Sequence, residues 1–238
     1  MASIGGTGER PGDSAWGGET IAVLGVIVAL LPLGVLHWGG AAEVDPQHET
    51  ISDYAWVPGG LALLTVSAFA LAAVGAVLAG GLRRAGLPRP GVPAGLLVSA
   101  SAALVLVALF PTHEPGTSAG FVSAVHRAAG GWVFAAVPLA AWLVARRART
   151  ASGWRAAAPA LAWSAGVTGV LSAVFLLSHV PIVIGGSSVL PLMGGVQRVL
   201  YASVMFVLMA TARATRLAIE HTLSPADVTV GTQLRGAA

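Results

Sequence analysis

Six stretches of roughly twenty residues, almost free of charge, dominate this chain and leave few ways to fold it. An α-helix rises about 1.5 Å per residue, so a run of that length crosses the roughly 30 Å of hydrocarbon in a bilayer. The stretches are Thr20 to Trp38, Pro58 to Leu82, Val92 to Phe110, Val122 to Ala145, Ala156 to Val180 and Leu192 to Ala212. No water is available in hydrocarbon to satisfy backbone N–H and C=O groups, so each stretch must close its own hydrogen bonds as a helix. The expected fold is all-α: an integral membrane bundle of six transmembrane helices over residues 20–215, with flexible polar tails at 1–19 and 216–238.

Composition agrees with that reading. Charged residues make up 10% of the chain, where soluble domains carry about a quarter, and mean hydropathy is +0.80. The net charge of +3 comes from arginine alone, since the chain has no lysine. The arginines cluster between apolar spans instead of forming a patch with aromatics, which argues for membrane topology and against nucleic acid. The lack of lysine and asparagine beside abundant Ala, Gly, Val and Arg fits a GC-rich bacterial genome, hence a bacterial inner or plasma membrane. With no cysteine, disulfides, thiolate nucleophiles and Cys-ligated zinc are excluded. The first span has no basic leader and ends in His37-Trp38-Gly39-Gly40, so it reads as a retained helix and not a cleaved signal.

Arginine counting sets the expected orientation. Arg83, Arg84 and Arg89 follow the second span, Arg146, Arg147, Arg149 and Arg155 follow the fourth, and Arg213, Arg216 and Arg235 follow the sixth. By the positive-inside rule both termini are cytoplasmic, and the connections 43–56, 111–123 and 181–191 lie outside. Trp38, Trp56 and Trp132 near the outer ends, and Trp142 and Trp154 near the inner ends, are expected as interfacial anchors. Small residues at four-residue spacing, Ala68, Ala72, Ala76 and Gly80 on the second span and Gly95, Ser99 and Ala103 on the third, predict helix contacts. Pro32 and Pro138 predict kinks. The two halves show no residue-level repeat of the kind that builds inverted-repeat transporters.

Chemistry-bearing residues gather on the outer side. His37, His48, His113, His126 and His179 fall there, with Glu43, Asp45, Glu49, Asp53 and Glu114; only His221 lies in the opposite tail. His113, His126 and His179 with an acid can supply the three protein ligands of a catalytic zinc site, although no spacing is diagnostic. His113-Glu114 is followed by Pro115 and Thr117, which excludes the H-E-x-x-H helix. Asp53, His113, Glu114 and His126 are the candidate acids and bases. Ser52 and Asp53 have a structural alternative as caps of the helix leading to Trp56. Arg198 lies inside the sixth span beside Gln197 and one turn before Tyr201. A mid-membrane arginine costs about 2.5–3.5 kcal/mol on insertion scales and faces a partner; Asp53 and Glu114 are the expected ones. Arg198, Gln197, Ser52 and Tyr54 are the candidate ligand-binding residues.

These residues form a familiar order. Ile51-Ser52-Asp53-Tyr54 after the first span, Phe110-Pro111-Thr112 ending the third, His126 opening the fourth and Gly194-Gly195-Val196-Gln197-Arg198 in the sixth together resemble the bacterial membrane family called domain of unknown function 998. The resemblance covers roughly residues 20–215. In that family an aspartate commonly follows Phe-Pro-Thr; here His113 takes the place and Glu114 is displaced by one. The resemblance implies the six-helix architecture and a site, and no reaction. Three functional classes stay open: a protein binding a membrane lipid or amphipathic small molecule, a membrane-embedded hydrolase or biosynthetic enzyme acting on a hydrophobic substrate, and a proton-coupled transporter.

Overall fold

The computed structural model describes residues 11–185 and 192–223. Helix α1 (Pro11–Gly39) leads through a loop to a short 3-10 helix (Ile51–Trp56), followed by α2 (Gly60–Arg84), α3 (Gly91–Leu109), α4 (Phe121–Ala148), the one-turn α5 (Ser152–Arg155), α6 (Ala158–Gly185) and α7 (Met193–Leu223). Six of these helices are long and apolar enough to cross a membrane, and no strand occurs among the described residues. The six-helix all-α fold stands. Helix α1 starts before the expected edge of its span, at Pro11, and α7 runs past its own, to Leu223. The rest of the expected tails, 1–10 and 224–238, lies outside the described residues, as does 186–191 of the expected last loop.

Successive long helices pack side by side, and α7 returns to α1, so the bundle closes as a ring. Helix α7 also touches α2 and α4 across the ring, which makes it the central element. Glu19 near the start of α1 pairs with Arg216 near the end of α7 at 2.6 Å, so both ends of the bundle lie on one side. That side also carries the arginine-rich connections. The other is the histidine end.

Residues on every face of these helices are apolar, so the spacing of small residues does not select the packed face. Ala68 and Ala72 are buried as expected, but Ala76 and Gly95 are exposed. The close approach of α2 to α3 is made instead at Gly75, where an added Cβ would collide with the Ser101 hydroxyl. Helices α1 and α4 continue through Pro32 and Pro138. Polar bridges supplement apolar packing: Ser67 donates to the Ala29 carbonyl at 2.9 Å, tying α2 to α1, and Trp132 donates to Ser99 at 3.1 Å, tying α4 to α3. Trp154 is not an anchor at the interface. It is 2% exposed and donates from Nε1 to the Ala85 carbonyl at 3.0 Å, because α5 folds it under the end of α2.

Candidate functional site

The histidine end is built around the first turns of α7, where N–H groups lack intrahelical acceptors. The loop after α1 supplies partners. Gly195 N donates to the Gln47 carbonyl at 3.0 Å, and Ile51 N donates to Gln197 Oε1 at 2.7 Å. Arg198 spends its fork on the same loop and on α1. Its Nε donates to His37 Nε2 at 2.7 Å, and Nη1 donates to the carbonyls of Glu49 at 2.8 Å and Gly194 at 3.0 Å. The guanidinium also sits 5.6 Å from the centre of the Tyr54 ring. Gly194 permits this approach: a Cβ there would collide with the Glu49 carbonyl oxygen and stand 2.9 Å from both Pro46 O and Arg198 Nη1.

The partners of Arg198 are therefore not the expected acids. Asp53 is occupied locally, accepting at Oδ2 from Thr50 N at 2.7 Å and from the Thr50 hydroxyl at 2.8 Å, which closes the 3-10 turn. Glu114 is exposed, and its backbone carbonyl accepts from Thr117. His37 replaces them. Its Nδ1 lies 2.8 Å from the Leu33 carbonyl, which can only accept, so Nδ1 carries the hydrogen and Nε2 offers a lone pair to Arg198. Two groups in this knot, the Tyr54 hydroxyl and Arg198 Nη2, are buried without a hydrogen-bond partner among the described residues.

Gln197 points a different way. Consecutive residues on a helix are rotated by about 100°, so while Arg198 turns to α1 and the loop, Gln197 lines a cavity inside the ring. The cavity is about 140 Å³ and lies among α2, α3, α4 and α7, with the 3-10 helix over its end. Its wall on α7 is Gln197, Tyr201, Val204 and Met205, and on α4 it is His126, Gly130, Val133 and Phe134. Both sets follow the i, i+4, i+7, i+8 spacing of one helix face. The stretch from Gln197 to Met205 corresponds to roughly 12 Å of helix. Polar groups sit toward the histidine end, and hydrocarbon lines the depth.

A family model described as a protein of unknown function, DUF998, matches residues 23–214. The chain belongs to this family. No curated protein and no solved structure matches it. In this DUF998 chain the four sequence motifs converge at the histidine end. The His126 ring is held by Nδ1 against the Phe110 carbonyl at 2.8 Å, Pro111 and Thr112 line the cavity, and Ile51 and Ser52 line it beside Gln197.

The remaining candidates disperse. His113 is exposed, and its carbonyl accepts from Trp56 Nε1 at 3.1 Å. His179 bonds back to the Phe175 carbonyl at 2.8 Å and stacks edge-on against the Phe175 ring at 4.4 Å. The proposed ligand set of His113, His126 and His179 does not assemble; among the described residues no three His, Asp or Glu side chains gather to hold a metal. On the exposed loop, Asp45 accepts from Gln47 N and pairs with His48 at 2.8 Å; these bonds, the backbone one first, hold its carboxyl below the ordinary 3.8.

Tyr201, Thr112, Thr65 and Gly130 are not among the sequence's site candidates, yet all four line the cavity. The available signal was spacing: Tyr201 stands one turn below Gln197, and Gly130 one turn below His126.

Proposed function

We propose that this protein binds a membrane lipid or small amphipathic molecule in the cavity among α2, α3, α4 and α7, at the outer side of a bacterial cell membrane. The observation that carries the reading is the cavity's polarity gradient. Ser52, Thr112, His126 and Gln197 stand at one end, and Leu71, Val133, Val204 and Met205 at the other. An amphiphile matches that gradient, its head meeting hydrogen-bonding groups while its chain stays in an apolar slot parallel to the surrounding lipid. Burying a head group away from water costs free energy unless its polar atoms are bonded, and this wall offers those bonds. The arginine distribution supports the orientation, and the polar end then opens toward the outer leaflet.

Native mass spectrometry of the full-length protein released from detergent tests the reading. Gly130 has only Val107 Cγ2, at 4.0 Å, near the position of an added Cβ, so Gly130→Leu grows into the cavity. Wild type should carry a bound lipid-sized molecule that Gly130→Leu has lost. If both carry the same adducts, or neither carries any, the cavity is not a binding site.

A further inference from the structure

The cavity wall carries more information than its polarity. Among the described residues no Asp, Glu, Lys or Arg lines it. Of the nearby charges, Asp53 bonds Thr50, and Arg198, which does not line the cavity, gives Nε and Nη1 to His37 and two carbonyls and keeps its remaining Nη2 buried in that knot. What lines the polar end is a set of neutral groups with unused hydrogen-bonding capacity. Among the described residues the Tyr201, Thr112 and Thr65 hydroxyls find no hydrogen-bond partner, and each can donate and accept. Gln197 uses its Oε1 on Ile51 N, which leaves both amide hydrogens to give. His126 Nδ1 is spent on the Phe110 carbonyl, which leaves the Nε2 lone pair of the neutral ring as an acceptor.

An anionic or cationic head placed here would lose its hydration with no opposite charge to replace it, and burying an uncompensated ion is far more costly than burying a hydroxyl or amide. A head that both donates and accepts can use the Gln197 amide, the hydroxyls and His126 Nε2 together. Size narrows the class further. The cavity's 140 Å³ is below the roughly 300 Å³ at which sites for drug-sized ligands begin, which leaves room for a small head and the first methylenes of one chain and not for two chains.

We infer that the ligand is an uncharged, single-chain amphiphile whose head bears hydroxyl or amide groups. This rests on the cavity being the binding site, and the test separates the two claims. Full-length protein in detergent is titrated with three probes sharing one oleoyl-type chain: 1-monooleoylglycerol, oleoyl lysophosphatidylglycerol and oleylamine. The readout is the shift in apparent melting temperature, since a molecule that binds only the folded state raises it. Each titration is repeated in Gly130→Leu and in Tyr201→Phe, which removes one unpartnered hydroxyl and no internal bond.

The monoglyceride should raise the melting temperature in wild type and not in Gly130→Leu. Tyr201→Phe should weaken its apparent Kd by roughly fivefold, the worth of one neutral hydrogen bond, with little change in unliganded stability. The charged probes should produce no Gly130-dependent shift. A Gly130-dependent shift as large for the anionic or cationic probe overturns the neutral-head assignment and leaves the cavity reading in place. If no probe acts through Gly130, both fall.

Discussion

At the scale of single residues, Arg198 shows how a membrane bundle holds a cation without a carboxylate. Its Nε and Nη1 hydrogens all find acceptors, two of them backbone carbonyls that cannot move away. The His37 tautomer is fixed by Leu33 so that its lone pair faces Nε. Removing that acceptor leaves a buried charged donor unsatisfied, a cost of about 1–3 kcal/mol. His37→Ala should therefore lower the apparent melting temperature clearly. Tyr54→Phe should not, because the hydroxyl it deletes has no partner among the described residues; differential scanning fluorimetry on both variants checks the pair. Sequence singled out Arg198 from the expense of an intramembrane charge, but not its partner. A lone histidine at a helix end looks the same whether it is a ligand, a base or an acceptor for arginine, and only the Leu33 carbonyl decides which.

Among elements, the contact between α7 and the loop after α1 is the one that organises the site, because it sets the direction of both Gln197 and Arg198. Gly194 is where the two backbones come closest. Gly194→Ala should force α7 away from Glu49 and cost about 1–3 kcal/mol, as overpacking generally does. Gly95→Ala on the exposed face of α3, where an added Cβ meets nothing within 4 Å, should be neutral or stabilising. Thermal unfolding of the two variants side by side reads the difference. The helices themselves were legible because length and lack of charge suffice to define them. Their packed faces were not. With lipid on one side and apolar neighbours on the other, hydrophobicity does not distinguish inside from outside, so Ala76 and Gly95 carried the expected spacing while Gly75 made the contact.

For the whole molecule, an even number of spans puts both ends of the bundle on one side, as the Glu19–Arg216 pair requires. Which side that is follows from arginine placement and is open to direct test, since the chain contains no cysteine to give background. With a membrane-impermeant maleimide on intact cells, Ser118→Cys in the exposed loop before α4 should label. Thr150→Cys between α4 and α5 should label only after permeabilisation. The reverse pattern would turn the cavity's polar end toward the cytoplasm. The clustering of histidines and acids at one end was visible in the sequence, but a cluster along the chain is not a cluster in space. The closed ring sends His126, Ser52 and Gln197 inward, leaves His113 and Glu114 at the surface, and seats His179 against Phe175. Covalent mapping locates an amphiphile whose head and first methylenes sit inside the ring. Single-chain lipids of neutral and charged head, each with a diazirine on the chain, are photolysed with the reconstituted protein and the adducts located by peptide sequencing. Adducts on Leu71, Val133 or Met205 in wild type, absent in Gly130→Leu, are the predicted result. Adducts confined for every probe to lipid-facing residues such as Phe206 and Val170 would contradict it.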